Sequence, residues 1–192
     1  QQIDLSGLST IGGHLQINSN ADLLSIDLTA LSTIDDYFNI SSNDKLETIT
    51  LTNLSNVGDR FEVSSNNSIE SLEMPSLIEV SSSFNLNYNG KLETVRLPAL
   101  VELASSVYIE GNNNLEELSM PLLEETGSSL YIRENYNLVT IDASSLHTIA
   151  GQFSLQYNYE LEDAYFGALT ELNSGLSVQY NHALKGIDLS SL

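Results

Sequence analysis

The chain has no cysteine and no tryptophan, only three prolines, and six basic residues against twenty-six acidic ones in 192 positions. Without cysteine there is neither a disulfide frame nor a thiolate metal site. The six bases, Lys45, Lys91, Lys185, Arg60, Arg96 and Arg133, are scattered along a chain of formal net charge −20. No positive surface is therefore available to displace counterions from a phosphate backbone, and nucleic acid is not expected as a partner. Anionic membrane surfaces are disfavoured on the same ground. No apolar run approaches the roughly 18 residues that a membrane span needs, so no direct membrane insertion is expected of this segment. With 41% hydrophobic residues, however, the chain has enough apolar material for a core. It begins QQIDLSGL, without an initiating Met, a basic leader or an apolar leader, and is expected to be part of a longer protein.

What the sequence does have is self-similarity. Asparagines stand at Asn20, Asn43, Asn66, Asn89, Asn112, Asn135, Asn158 and Asn181, always 23 residues apart without insertion or deletion. Five before each lies Leu15, Phe38, Phe61, Phe84, Val107, Leu130, Phe153 or Leu176, and three before lies Ile17, Ile40, Val63, Leu86, Ile109, Ile132, Leu155 or Val178. Further apolar columns follow at three, six, eight, eleven and fourteen after the Asn, and the eleventh is leucine in all eight copies, from Leu31 to Leu192. Numbering each position by its offset from the Asn, one unit reads FxIxxNxxLxxIxLPxLxxIxxx.

Seven apolar columns kept in step through eight copies imply that each copy makes one turn of a coil and stacks like on like. The pairs at −5/−3 and +6/+8 have the period-two alternation of short strands. No helical apolar stripe longer than about a turn occurs, and the corners are rich in Ser, Asn, Gly and Asp, as turns require. The expected fold is all-β: a single-domain parallel β-solenoid over residues 1–192, of the right-handed β-helix type. An inward Asn at a strand-to-turn corner can bond its own turn and the Asn of the next coil, because an amide carries both donors and acceptors. The eight asparagines are thus expected to form a structural ladder and not a ligand site.

The string LxIxxN followed by a leucine resembles the strand of leucine-rich repeats. The unit as a whole is more similar to the repeats of receptor L domains, as in GGHLQINSNADLLSIDLTALSTI at 12–34 and SSSFNLNYNGKLETVRLPALVEL at 81–103. Members of that family occur in receptor ectodomains and in fungal cell-wall proteins. This resemblance implies an extracellular, cell-surface β-solenoid that displays a surface, and the likeness to leucine-rich repeats implies that offsets −4, −2, −1 and +1 form the exposed ligand-reading face.

Seven of nine tyrosines fall on three of those columns: Tyr108 and Tyr131 at −4, Tyr88, Tyr157 and Tyr180 at −1, Tyr136 and Tyr159 at +1. Stacked columns would make them an aromatic stripe on one sheet, beside Glu110, Arg133, Glu134, Gln156, Gln179 and His182. Exposed aromatic patches with polar rims mark binding surfaces, here for a protein or a glycan. The plainer reading is cross-strand stabilisation of a wet sheet.

Acids also segregate, Glu47, Glu70, Glu93, Glu116 and Glu162 at +4 and Glu79, Glu102, Glu125 and Glu171 at +13. Such ladders favour solubility over metal binding, since no calcium-loop motif is present. Enzyme chemistry is not expected, and neither a metal nor a cofactor is called for. His14, His147 and His182 lie in different columns of different coils, and no serine or threonine has a nucleophile signature. Columns +5 and +7 are too irregular and too charged for an ice-binding array. Three sequons occur, at Asn39, Asn53 and Asn66, of which Asn66 belongs to the ladder. The alternative to recognition is a structural spacer, a filament or cell-wall protomer. Both ends fall inside a repeat, so their open strands would need flanking sequence or end-to-end self-assembly.

Overall fold

Each 23-residue repeat closes one turn of a parallel solenoid, and it does so with three strands where the alternation pattern marks two. The computed structural model describes residues 1–192 throughout and contains strands and turns but no helix. The first strand of a coil covers offsets −5 to −2, as in Phe84–Asn87, and eight such strands form one continuous sheet from Leu15–Asn18 to Leu176–Gln179. The second covers +5 to +7, as in Thr94–Arg96. The third is only two residues long, as in Glu102–Leu103, and eight copies make another continuous sheet. A two-residue strand has no room to alternate, which is why its apolar column at +14 gave no strand signal.

Every pairing is parallel and joins residues 23 apart: Phe84 to Val107, Val95 to Leu118, Leu103 to Thr126. Identical offsets therefore lie one above another at about 4.8 Å per coil. Between the first and second strands the chain turns at the Asn, and the N–H at +3 donates to the Asn carbonyl, as Leu92 does to Asn89 at 3.1 Å. A second turn is closed the same way between +8 and +11, as Leu100 does to Leu97 at 3.2 Å. The apolar columns at +3, +8 and +11 are thus the ends of these turns pointing inward. All seven columns supply the single buried core, in which Phe38, Phe61 and Phe84 stack with ring centroids 4.7 and 5.0 Å apart. One polar intruder, Thr126 at +14, is satisfied by donating its hydroxyl to Ser128 O at 3.0 Å.

The asparagine ladder is present, with a sharper geometry than an amide-to-amide chain. Asn66 N–H donates to Asn89 Oδ1 at 3.0 Å, and Asn89 Nδ2 donates to Val63 O, in the preceding coil, at 3.0 Å. The same pair of bonds recurs at Asn43, Asn112, Asn135 and Asn158. The six inner asparagines are fully buried. Each side chain therefore bridges two coils mainly through backbone groups. This satisfies a buried N–H and a buried C=O that the turn would otherwise leave without partners.

The second sheet is interrupted once, between Thr48–Thr50 and Ser71–Glu73. Leu51 and Glu70 N–H make no bond across this gap, whereas the matching Leu28 donates to Thr50 O at 3.1 Å and Glu93 to Glu70 O at 2.8 Å. A shallow cleft of about 380 Å³ opens there, lined by threonines 48, 50 and 52 with Glu73 and Pro75. Ile49 beneath it is 8% exposed, against 0–1% for Ile26, Leu72 and Val95 in the same column.

Replacing Asn89 by Leu keeps the volume but strands Asn66 N–H and Val63 O in the dry interior. At about 1–3 kcal/mol for each buried group left unpaired, stability should fall by at least roughly 2 kcal/mol. Urea unfolding followed by circular dichroism measures this; a midpoint unchanged from the parent would contradict the ladder's role.

Candidate functional site: a tyrosine-bearing corner

The Asn turn dictates where the tyrosines go. At every −1 position the backbone is left-handed: Ser19, Ser42, Ser65, Tyr88, Gly111, Glu134, Tyr157 and Tyr180 have φ between 55° and 69°, and no other residue has positive φ. The conformation costs a non-glycine residue about 1 kcal/mol or more. It swings the chain out of the first strand so that the next residue, the Asn, enters the core. Tyr88, Tyr157 and Tyr180 therefore stand on the corner and not on the sheet, which ends at −2. Tyr136 and Tyr159, at +1, lie on the far side of the same corner. Of the seven, only Tyr108 and Tyr131 sit within strands.

The seven tyrosines accordingly form separate stacks in place of one stripe on a sheet. Tyr108 and Tyr131 stack on the first sheet at 5.0 Å and are half-buried. Tyr157 and Tyr180 stack at 4.7 Å on one side of the corner. Tyr136, Tyr159 and His182 stack on the other side, at 5.1 and 5.2 Å. The last two rows flank the buried Asn158, and all four of their tyrosines are exposed, Tyr180 to 54%. Tyr88 stands apart, 58% exposed, with its ring against Gly111. A Cβ on Gly111 would come within 2.5 Å of the Tyr88 ring, so glycine at that left-handed position also makes room for it. Rings stacked face to face offer their edges and hydroxyls outward. The exposed rows are therefore rows of hydrogen-bonding groups on an apolar body.

The half-buried pair carries an ion cluster. Arg133 lies 4.2 Å over the Tyr131 ring, its Nε donates to Ser154 Oγ at 2.9 Å, and its Nη1 is 3.8 Å from Glu110. Burial pushes the Glu110 carboxyl above its ordinary value; Arg133 opposes this and Glu134 adds to it. Desolvation, then Glu134 and Tyr159, push the Tyr136 hydroxyl upward. Gln156 is tied down by donating Nε2 to Ser177 Oγ at 2.6 Å.

A second aromatic cluster, on the N-terminal coils, escaped the column reading because it sits at −6, just before the strand. His14 and Tyr37 stack at 4.6 Å, Tyr37 Oη donates to Gln16 Oε1 at 3.0 Å, and Arg60 lies 5.7 Å over the Tyr37 ring. Nothing in the apolar periodicity marks that column; only its position next to the strand does. The ninth tyrosine, Tyr165, is exposed at +7 on the second sheet, away from the corner.

Five of the six bases lie against acids of neighbouring coils or of their own, Arg133 in its cluster with Glu110 and four others. Lys45 reaches Asp22 at 2.7 Å, Lys185 reaches Glu162 at 2.5 Å, and Arg96 bridges Glu73 and Glu117 at 3.2 and 2.6 Å. Arg60 Nε lies 3.3 Å from Glu62 Oε2, a charge contact without hydrogen-bond geometry. Of these pairs only Lys185–Glu162 falls in an acidic column, at +4, and exposed pairs of this kind contribute little to stability. The surface remains strongly acidic, with Glu79, Glu102 and Glu125 side by side on the third sheet. No protein-family model, no curated protein and no solved structure matches the chain.

Substituting Met for Arg133 removes the one influence that lowers the Glu110 pKa, so Glu110 should titrate still higher, as read by carboxyl-carbon NMR. An acid whose folded pKa is raised stabilises the fold only while protonated. Stability should therefore drop more steeply in the variant than in the parent as pH rises from about 4 toward neutrality. An unchanged or lower Glu110 pKa would contradict the assigned pairing.

Proposed function

We propose that the protein is a non-enzymatic recognition or adhesion module of the cell surface or extracellular space, binding a protein or glycan through the tyrosine corner of its C-terminal coils. The observation that carries this reading is the pair of exposed rows, Tyr157–Tyr180 and Tyr136–Tyr159–His182, side by side on a rigid turn. Tyrosine combines a large apolar face or edge with a hydroxyl and loses little side-chain entropy when it is fixed. For this reason it is enriched at binding hot spots. Stacking already holds these rings in place, so a partner would not have to order them. The sequence resemblance to receptor L domains and leucine-rich repeats supports the same direction, since those solenoids display a ligand face beside their Asn turn.

A net charge of −20 disfavours anionic partners by long-range repulsion and favours neutral or basic ones. A second reading, a structural spacer or filament protomer, draws on the continuity of two of the three sheets along all eight coils, which makes the rod stiff along its axis. The two readings differ in whether the tyrosines matter. Changing Tyr157, Tyr159 and Tyr180 together to Ser should leave the circular dichroism spectrum and the unfolding midpoint close to the parent's. Binding to cell surfaces, glycan arrays or a partner pulled from them should weaken by about thirtyfold or more, the scale of a hot spot of 2 kcal/mol. Full binding by the triple variant would remove the recognition reading and leave the spacer.

A further inference from the structure

The three sequons look alike in sequence, but the coil treats them very differently. Asn66 is a rung of the ladder, fully buried, with its Nδ2 donating to Ile40 O at 2.9 Å and its Oδ1 accepting from Asn43 N–H at 3.0 Å. Asn39 lies on the first sheet only 8% exposed, its Nδ2 against Glu62 Oε2 at 3.3 Å. Asn53 is exposed in the bend between the second and third strands of its coil. Its Nδ2 donates to Thr29 O at 2.7 Å, one coil back.

We propose that Asn53 is an N-glycosylation acceptor, and that it alone of the three sequons can carry a sugar in the folded coil. In the transfer, Asn53 Nδ2 attacks C1 of a lipid-linked oligosaccharide diphosphate. The N–C1 bond forms, the C1–O bond breaks, the diphosphate leaves with that bond's electron pair, and one Nδ2 proton is lost to base. The Ser55 hydroxyl two residues on completes the acceptor motif. In the closed coil Ser55 Oγ donates to Ser32 O at 3.0 Å and Leu54 is fully buried, so transfer precedes closure of the coil. Folding then selects among the modified chains. A substituent on Asn66 Nδ2 would have to occupy the dry interior, where that nitrogen faces Ile40 O and the residue is fully buried. One on Asn39 would have to displace Glu62 from a packed sheet. A glycosylated Asn53 keeps one N–H on Nδ2, enough to retain its single bond to Thr29 O, and its sugar points to solvent. That bend is a different corner of the coil from the tyrosine corner, so the modification leaves the rows of rings clear.

The test expresses the full 192-residue chain behind a cleavable secretion signal in a glycosylating eukaryotic host. The secreted protein, checked for β-sheet circular dichroism, is measured by intact mass before and after endoglycosidase and mapped by peptide mass spectrometry. One glycan, located at Asn53, is expected, and both N53Q and S55A should abolish it. The two variants remove the site in different ways, so a folding failure in one leaves the other to report. Sugar on Asn39 or Asn66 of folded, secreted protein would overturn the proposal, as would folded, secreted protein with Asn53 unmodified.

Discussion

The hydrogen bond from the backbone N–H of one asparagine to the side-chain oxygen of the asparagine 23 residues later is the constraint on which the rest of the structure depends. A turn that sends a side chain inward also carries its backbone amide into a region without water. There an unpaired N–H costs about as much as a whole hydrogen bond gains. Asparagine resolves this because it offers an acceptor to the coil before it and a donor to a carbonyl of that same coil. Asn43, Asn66, Asn89, Asn112, Asn135 and Asn158 repeat the arrangement with distances of 2.9 to 3.2 Å for the backbone donors. The ladder and the core fix the register together: shifting one coil by a residue would move all seven of its apolar columns off the core.

That constraint also explains the surface. The residue before each asparagine must be left-handed for the asparagine to enter the core, and its side chain is consequently carried to the outside of the corner. The position is costly for the backbone and free in chemistry. Serine occupies it in the first three coils, glycine or glutamate in two others, and tyrosine at positions 88, 157 and 180. Function can vary there without touching the ladder, and the stacking distance of the rings, 4.7 to 5.2 Å, is the rise of the coil itself. The scaffold thus converts a sequence column into a row of rings at fixed spacing.

Much of this was legible in the sequence because solenoid contacts are made between identical offsets. The all-β class, the eight coils, the inward asparagines and all seven core columns follow from spacing alone. The third strand did not, since two residues such as Glu102–Leu103 cannot display an alternation. The split in the second sheet between Thr50 and Ser71 has no sequence mark either: Ile49 and Leu72 keep the apolar pattern unbroken. For the tyrosines, the column assignments carried over, but their surface did not. Offsets −1 and +1 belong to a left-handed corner, a backbone conformation that residue types as different as Ser and Tyr share and that composition cannot reveal. The −6 cluster of His14, Tyr37 and Arg60 does share one column, but that column holds three different residue types and lies outside the apolar pattern, so nothing in the periodicity singled it out.

Register is the claim everything else rests on, and the absence of native cysteine makes it directly measurable. Spin labels on cysteines introduced at Glu47 and Glu162, five coils apart, should give an electron–electron distance centred near roughly 24 Å. The pair Glu70 and Glu162, one coil fewer, should be shorter by about 4.8 Å. Distances that fail to shrink by one rise per coil would contradict the stacked ladder and with it the rows of rings.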